Sequence, residues 1–197
     1  MQSRINWFGL AAGVATILLL VVSLFFSWWT LTIGDDLAKI SVSPLNTSFS
    51  FLGTTYVPPL IWALNLAGAL SMAVGGTVML IYSVLPQKSY SKSLLSYSYP
   101  KPIYAVVIFV VLLFVLSFIV QELFNFGIPI VGSQNVQIPQ SYTQNVIVNV
   151  VASASFEWPF WLAVGVAVLC VAARLYQGKV AKTPVQSVQL MPSPPKI

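Results

Sequence analysis

The sequence predicts an all-α membrane protein, a four-transmembrane-helix bundle, and three observations lead there. Only 7% of its 197 residues are charged, against 57% hydrophobic, whereas a soluble domain carries about 25% charged residues. Too few ionic groups remain to cover a water-facing surface. Four apolar runs reach the roughly 20 residues that a helix needs to cross the hydrocarbon core. The basic residues gather on one of the two sides that four spans define, the asymmetry expected of cytoplasmic loops.

The first span runs from about Trp7 to Trp29 and carries no charge. Its apolar run is longer than a signal-peptide core, and Ser27-Trp28-Trp29 is a poor cleavage site, so the segment is expected to be retained. The second runs from about Pro59 to Leu85, the third from about Ile103 to Leu123 and the fourth from about Trp158 to Tyr176. Prolines mark their boundaries: Pro58 and Pro59, Pro86, Pro100 and Pro102, and Pro159. A proline is tolerated at a helix start because the missing N–H has no intrahelical partner there. Residues 1–182 form the membrane domain, and 183–197, with Pro184, Pro192, Pro194 and Pro195, read as a disordered tail.

Charge sets the orientation. Arg4, Lys88, Lys92, Lys101, Arg174, Lys179, Lys182 and Lys196 share one side, and Lys39, Asp35, Asp36, Glu122 and Glu157 lie on the other. Both termini are therefore expected in the cytoplasm, with the plasma membrane as the location. Trp28, Trp29, Trp62, Trp158 and Trp161 fall at the outer helix ends, and Trp7, Tyr82, Tyr104 and Tyr176 at the inner ends. Those are the headgroup levels that Trp and Tyr favour. The net charge of +5 is spread beside the spans rather than along a stripe, which points to lipid headgroups as partners and away from nucleic acid.

Two outer loops, about 30–57 and 125–156, hold most of the remaining chain. Ser48-Phe49-Ser50-Phe51 alternates, and Val146-Ile147-Val148-Asn149-Val150-Val151 is rich in β-branched residues. The bundle thus carries an optional small β-structure formed by the two loops, punctuated by Gly53, Pro129, Gly132 and Pro139. The inner loop, Gln87 to Pro102, is expected to lie on the lipid surface.

Small residues let transmembrane helices approach closely. Gly9 and Gly13 form a GxxxG match in the first span; Gly68, Ser71 and Gly75 share a face of the second; Ala163 and Ala167 are four apart in the fourth. These are helix-packing candidates, within the chain or between copies. The third span is almost entirely bulky, apart from Ala105 and Ser117, and is expected at the periphery.

Chemistry is harder to find. Histidine is absent and Cys170 is the single cysteine, so a haem, copper or other metal site and a Ser–His or Cys–His nucleophile are not expected, nor is any cofactor. No span carries a central charge of the kind that ion relays use. Asn65 in the second span is a candidate polar contact or cavity-lining group. Glu122 and Glu157 mark outer helix ends and are candidates for facing each other, a partner or solvent. Asn46-Thr47-Ser48 matches a glycosylation acceptor at Asn46, and Asp35-Asp36 reads as a solvated pair.

The order of helix, large outer loop with strand signals, helix, short inner loop, helix, outer loop and helix resembles the tetraspan membrane proteins of the claudin type. Trp28-Trp29 followed by Leu31 and Gly34 is similar to the tryptophan-bearing first loop of that family. The paired loop cysteines of the family are absent, since Cys170 stands in a helix. The resemblance implies outer loops that meet other proteins. The expected function is a non-catalytic accessory or scaffold subunit of a larger membrane complex, with other integral membrane subunits as partners; a respiratory or other energy-converting complex is one setting for it. A small transport or channel component, or a structural protein of a viral envelope or cell surface, is the alternative.

Overall fold

Just after the first apolar run the sequence changes from helical to alternating periodicity, in Trp29-Thr30-Leu31-Thr32-Ile33, and the backbone changes with it. The computed structural model describes residues 5–34, 37–86, 88–124, 127–138 and 148–180. Along them run α1 (Trp7–Phe25), β1 (Trp29–Ile33), β2 (Ala38–Val42), β3 (Thr47–Phe51), β4 (Thr54–Tyr56), α2 (Pro59–Val84), α3 (Ser91–Ser98), α4 (Pro100–Phe124), β5 (Gly132–Ile138), β6 (Val148–Phe156) and α5 (Trp158–Val180). Asp35, Asp36, Pro139, Val146, Ile147 and the tail from 183 lie outside the described residues.

The all-α expectation is overturned. The strands form a six-stranded antiparallel sheet in the order β4-β3-β2-β1-β6-β5, and the fold is mixed, with helices in contact with the sheet rather than a plain bundle. The cause is side-chain alternation in both loops. Leu31 is in register with Ile40 on one side and Ala154 on the other, and Ile40 with Phe49. This row and its neighbour, Phe156–Trp29–Val42–Thr47, face inward, while Thr30, Thr32, Ser41, Ser153 and Ser155 take the opposite face, as a period of two requires. Leu31 and Ala152 are completely buried. Burying a leucine side chain contributes roughly 1.5–3 kcal/mol, so the inward rows fix the register.

The helix ends are corrected with it. The first helix stops at Phe25, because Phe26 is already extended (φ −123°, ψ 136°), and Trp29 belongs to β1. Trp28 and Trp29 are not headgroup anchors, being 1% exposed. The Trp28 indole donates to Ser23 Oγ at 2.7 Å and the Trp29 indole to the Ile130 carbonyl at 2.7 Å. Tyr82, expected at the headgroup level, is also completely buried. Within the inner loop, Ser91–Ser98 coil into α3, which packs on α2 and buries Leu95.

The sheet sits at one end of the helices, where α1 ends, α2 begins, α4 ends and α5 begins. Helical spans Trp7–Phe25, Pro59–Val84, Ser91–Glu122 and Trp158–Gly178 are each long and apolar enough to cross a membrane, which makes the chain an integral membrane protein. α1 is central and packs most extensively on α2 and α5. A β-carbon on Gly9 would stand 2.6 Å from Ser83 Oγ, and one on Gly13 2.7 Å from Leu80 Cδ2, so α1 and α2 touch where α1 has no side chain. At the end away from the sheet, Asn6 ties three helices. Its Nδ2 donates to Tyr82 Oη at 2.7 Å and to the Ala173 carbonyl at 3.2 Å, and its Oδ1 accepts from Gly9 N.

Candidate functional site: a groove between α2 and α4

α4 is built from bulky Val, Ile, Leu and Phe, and it rests on α5 while touching α2 only sparsely. Large side chains hold helix axes apart, and a gap opens between α2 and α4. Two close approaches to α2 occur along it, both at glycines. At Gly75 a β-carbon would lie 2.7 Å from Lys101 Cδ, so the aliphatic stem of Lys101, in the first turn of α4, lies directly on α2. At Gly68 it would lie 2.7 Å from the Pro44 carbonyl oxygen, so the β2–β3 turn is seated on the same helix.

That turn is shaped by Ser43. Its hydroxyl accepts from Leu45 N and Asn46 N, and Ser43 N donates to the Asn46 carbonyl. Asn46 Nδ2 donates to the Leu24 carbonyl at 3.0 Å, anchoring the turn to the last turn of α1. Leu45, 5% exposed, points into the groove as its lid.

The gap forms a cavity of about 720 Å³ that runs past both contacts. α2 lines it with Leu64, Asn65, Ser71 and Met72, and α4 with residues from Lys101 to Ile119, among them Ile108, Leu112 and Leu116. At 1.5 Å per residue that stretch of α4 is about 27 Å long, close to the ~30 Å hydrocarbon thickness. Under the sheet the cavity wall includes Phe109, which belongs to an aromatic cluster: its ring is 5.2 Å from Trp28 and 6.0 Å from Phe160. The cluster ties the residue before β1 to α4 and α5.

The electrostatics are one-sided. Lys101 is half-buried at the groove end away from the sheet, with Nζ 4.0 Å from the centre of the Tyr97 ring. The carboxylates among the described residues belong to Glu122 and Glu157. Glu122 is 21 residues further along the same helix, about 30 Å away. Glu157 precedes α5 at the sheet, where its carboxylate accepts from Thr30 Oγ1 at 2.7 Å and Ser155 Oγ at 3.1 Å. Lys101 therefore has a ring for a neighbour and no nearby anion among the described residues.

Of the residues singled out from sequence, Gly68, Ser71, Gly75 and Asn65 come together in or at the groove. Gly9 and Gly13 lie at the α1–α2 contact, Ala163 is completely buried on α5 and Ala167 is half-buried. Glu122 is exposed on α4, and Glu157 is bound to the sheet. Gly68 and Gly75 do not admit a neighbouring helix backbone; they admit a turn carbonyl and a lysine stem. Lys101 and the Ser43-Pro44 turn were not singled out as site residues. The signal for Lys101 was its position between Pro100 and Pro102, which fixes it in the first turn of a span.

No protein-family model matches the sequence, and no curated protein matches it.

Proposed function

We propose that this chain is a non-catalytic subunit of a larger membrane assembly, working by binding other membrane components, with α4 as its docking side. The isolation of α4 carries this reading: 11% of its most apolar stretch is buried within the chain, against 33% for α1 and for α5. Val107, Val111, Phe114 and Phe118, spaced four, three and four residues apart, leave 52%, 53%, 59% and 64% of their surfaces exposed. That is the spacing of a helix–helix seam. A companion helix laid along it would give α4 the packing it lacks. An energy-converting complex, with its redox centres in other subunits, is one setting for such a companion.

In this reading the basic end of the helices is cytoplasmic and the sheet stands outside the plasma membrane; the placement of Lys88, Lys92, Lys101 and Arg174 opposite the sheet supports it through the positive-inside rule. The succession of helix, four strands, three helices, two strands and helix supports keeping the chain beside the claudin-type tetraspan proteins, by topology alone.

A photo-crosslinking residue at Val111 or Phe118, activated in intact membranes, tests the docking side. A single discrete polypeptide adduct is expected; adducts with lipid alone would contradict it. One observation favours a second reading, a small transport component: Asn65 lines the groove. Flux in reconstituted vesicles that disappears in Asn65→Leu would support it, and no flux would remove it.

A further inference from the structure

We infer that the α2–α4 groove binds one anionic phospholipid, an acyl chain lying between the helices and the phosphate held by Lys101. The shape, the lining and the charge of the groove each narrow the occupant.

The size suits a small amphiphile: the groove offers about 720 Å³, within the ~300–1,000 Å³ range of small-molecule sites. The lining is mostly aliphatic and aromatic, with Lys101 and Tyr104 at one end of α4, Asn65 and Ser71 on α2, and Ser43 and Thr47 beside the sheet as the polar exceptions. Such a wall accepts hydrocarbon and gives no hydrogen-bond pattern to a polar solute. A membrane also keeps acyl chains at high local concentration, so a dry void of this size beside lipid would be filled.

The charge fixes which end the head occupies. Lys101 stands where the groove meets the membrane surface away from the sheet, its stem pinned on Gly75 and its ammonium by Tyr97. Lys88 and Lys92 precede it in the chain and Arg174 stands in the later part of α5, so this end of the helices is basic. Tyr104, exposed and lining the groove, adds a hydroxyl one turn from Lys101. An ammonium with no carboxylate beside it among the described residues, flanked by a phenol at one end of an apolar slot, complements a lipid phosphate. Toward the sheet the groove passes Pro44 and Leu45 and is walled by Ile40 and Phe49, all without charge, so the head lies at the Lys101 end. This inference stands on the groove and not on the companion reading; lipid binding and companion binding are measured separately.

The test uses the full chain, stripped of lipid by prolonged detergent washing and then offered vesicles of phosphatidylglycerol or of phosphatidylcholine. Bound lipid is read by native mass spectrometry. One phosphatidylglycerol per chain is expected to survive, with phosphatidylcholine bound at least fivefold more weakly. Lys101→Gln should lower phosphatidylglycerol affinity about fivefold, the worth of one lysine near an anionic lipid, and Lys101→Arg should restore it. Leu112→Trp, which fills the groove, should abolish binding of both lipids. Val168→Trp, at an exposed position of α5 that does not line the groove, should leave binding unchanged and serves as the folding control. Equal affinity for the two lipids with no effect of Lys101→Gln would overturn the headgroup assignment, and retention of lipid in Leu112→Trp would overturn the groove.

Discussion

The carbonyl oxygen of Pro44 lies 2.7 Å from the place where a β-carbon on Gly68 would stand. A turn of the sheet is thereby seated about nine residues, roughly 14 Å, along α2, and sheet and helices are coupled at a point where only glycine fits. Gly68→Val should force the turn off the helix and destabilise the protein by about 1–3 kcal/mol, the usual cost of overpacking. Gly165→Ala is the control, since nothing lies within 4 Å of its β-carbon position; a neutral or slightly stabilising change is expected. Thermal unfolding of both variants in detergent decides it, and equal midpoints would contradict the coupling.

The β3–β4 hairpin contains a local conflict. Leu52 and Gly53 both adopt positive φ, 48° and 79°, the geometry of a two-residue turn that Asn-Gly favours. A leucine in the left-handed region costs roughly 1–2 kcal/mol, and Leu52 is 66% exposed, so its side chain gives little back. Leu52→Asn should therefore stabilise by about 1 kcal/mol, raising the Tm by roughly 2–4 °C for a chain of this size. A lowered Tm would show that Leu52 packs against something outside the chain.

Trp28 and Trp29 lie inside the junction of sheet and helices, and Trp62 and Trp161 are exposed by 60% and 63%. Fluorescence of single-tryptophan variants in vesicles with a lipid-borne quencher should separate the two groups: Trp62 and Trp161 quenched, Trp28 and Trp29 spared. Trp29→Phe should cost about 1–3 kcal/mol by leaving the Ile130 carbonyl without its donor. Strong quenching of Trp29 would place it at the lipid surface and contradict the junction.

The amide nitrogen of Asn46 that a glycan would occupy instead donates to the Leu24 carbonyl. Expression in a secretory pathway should therefore yield chain without glycan at Asn46, and Asn46→Ala should lower stability by about 1 kcal/mol. A mass shift removed by a glycosidase would contradict this.

Much of the membrane architecture was legible because hydrocarbon thickness imposes a long, uncharged run on every span. The sheet was written in the sequence less openly. Trp29-Thr30-Leu31-Thr32-Ile33 alternates as clearly as Ser48-Phe49-Ser50-Phe51, but it adjoins an apolar run, and Trp28-Trp29 extends that run. That the two loops share a β-structure was legible, but the register, Leu31 against Ala154, joins residues more than a hundred apart and follows from no local pattern. The small-residue face Gly68, Ser71, Gly75 was visible, but not what it receives. A glycine announces close approach; whether a helix, a carbonyl or a lysine stem approaches depends on elements elsewhere in the chain. The groove follows from the bulk of α4, which composition alone reads as lipid contact.

The central claim, that this chain acts by binding within a membrane assembly, is tested most directly by the native mass of the protein extracted from its own membranes in the mildest workable detergent. A stoichiometric complex with at least one other membrane polypeptide, lost when Val111 and Phe118 are both changed to Ala, is the predicted result. A homogeneous monomer with no companion at any detergent strength would contradict it.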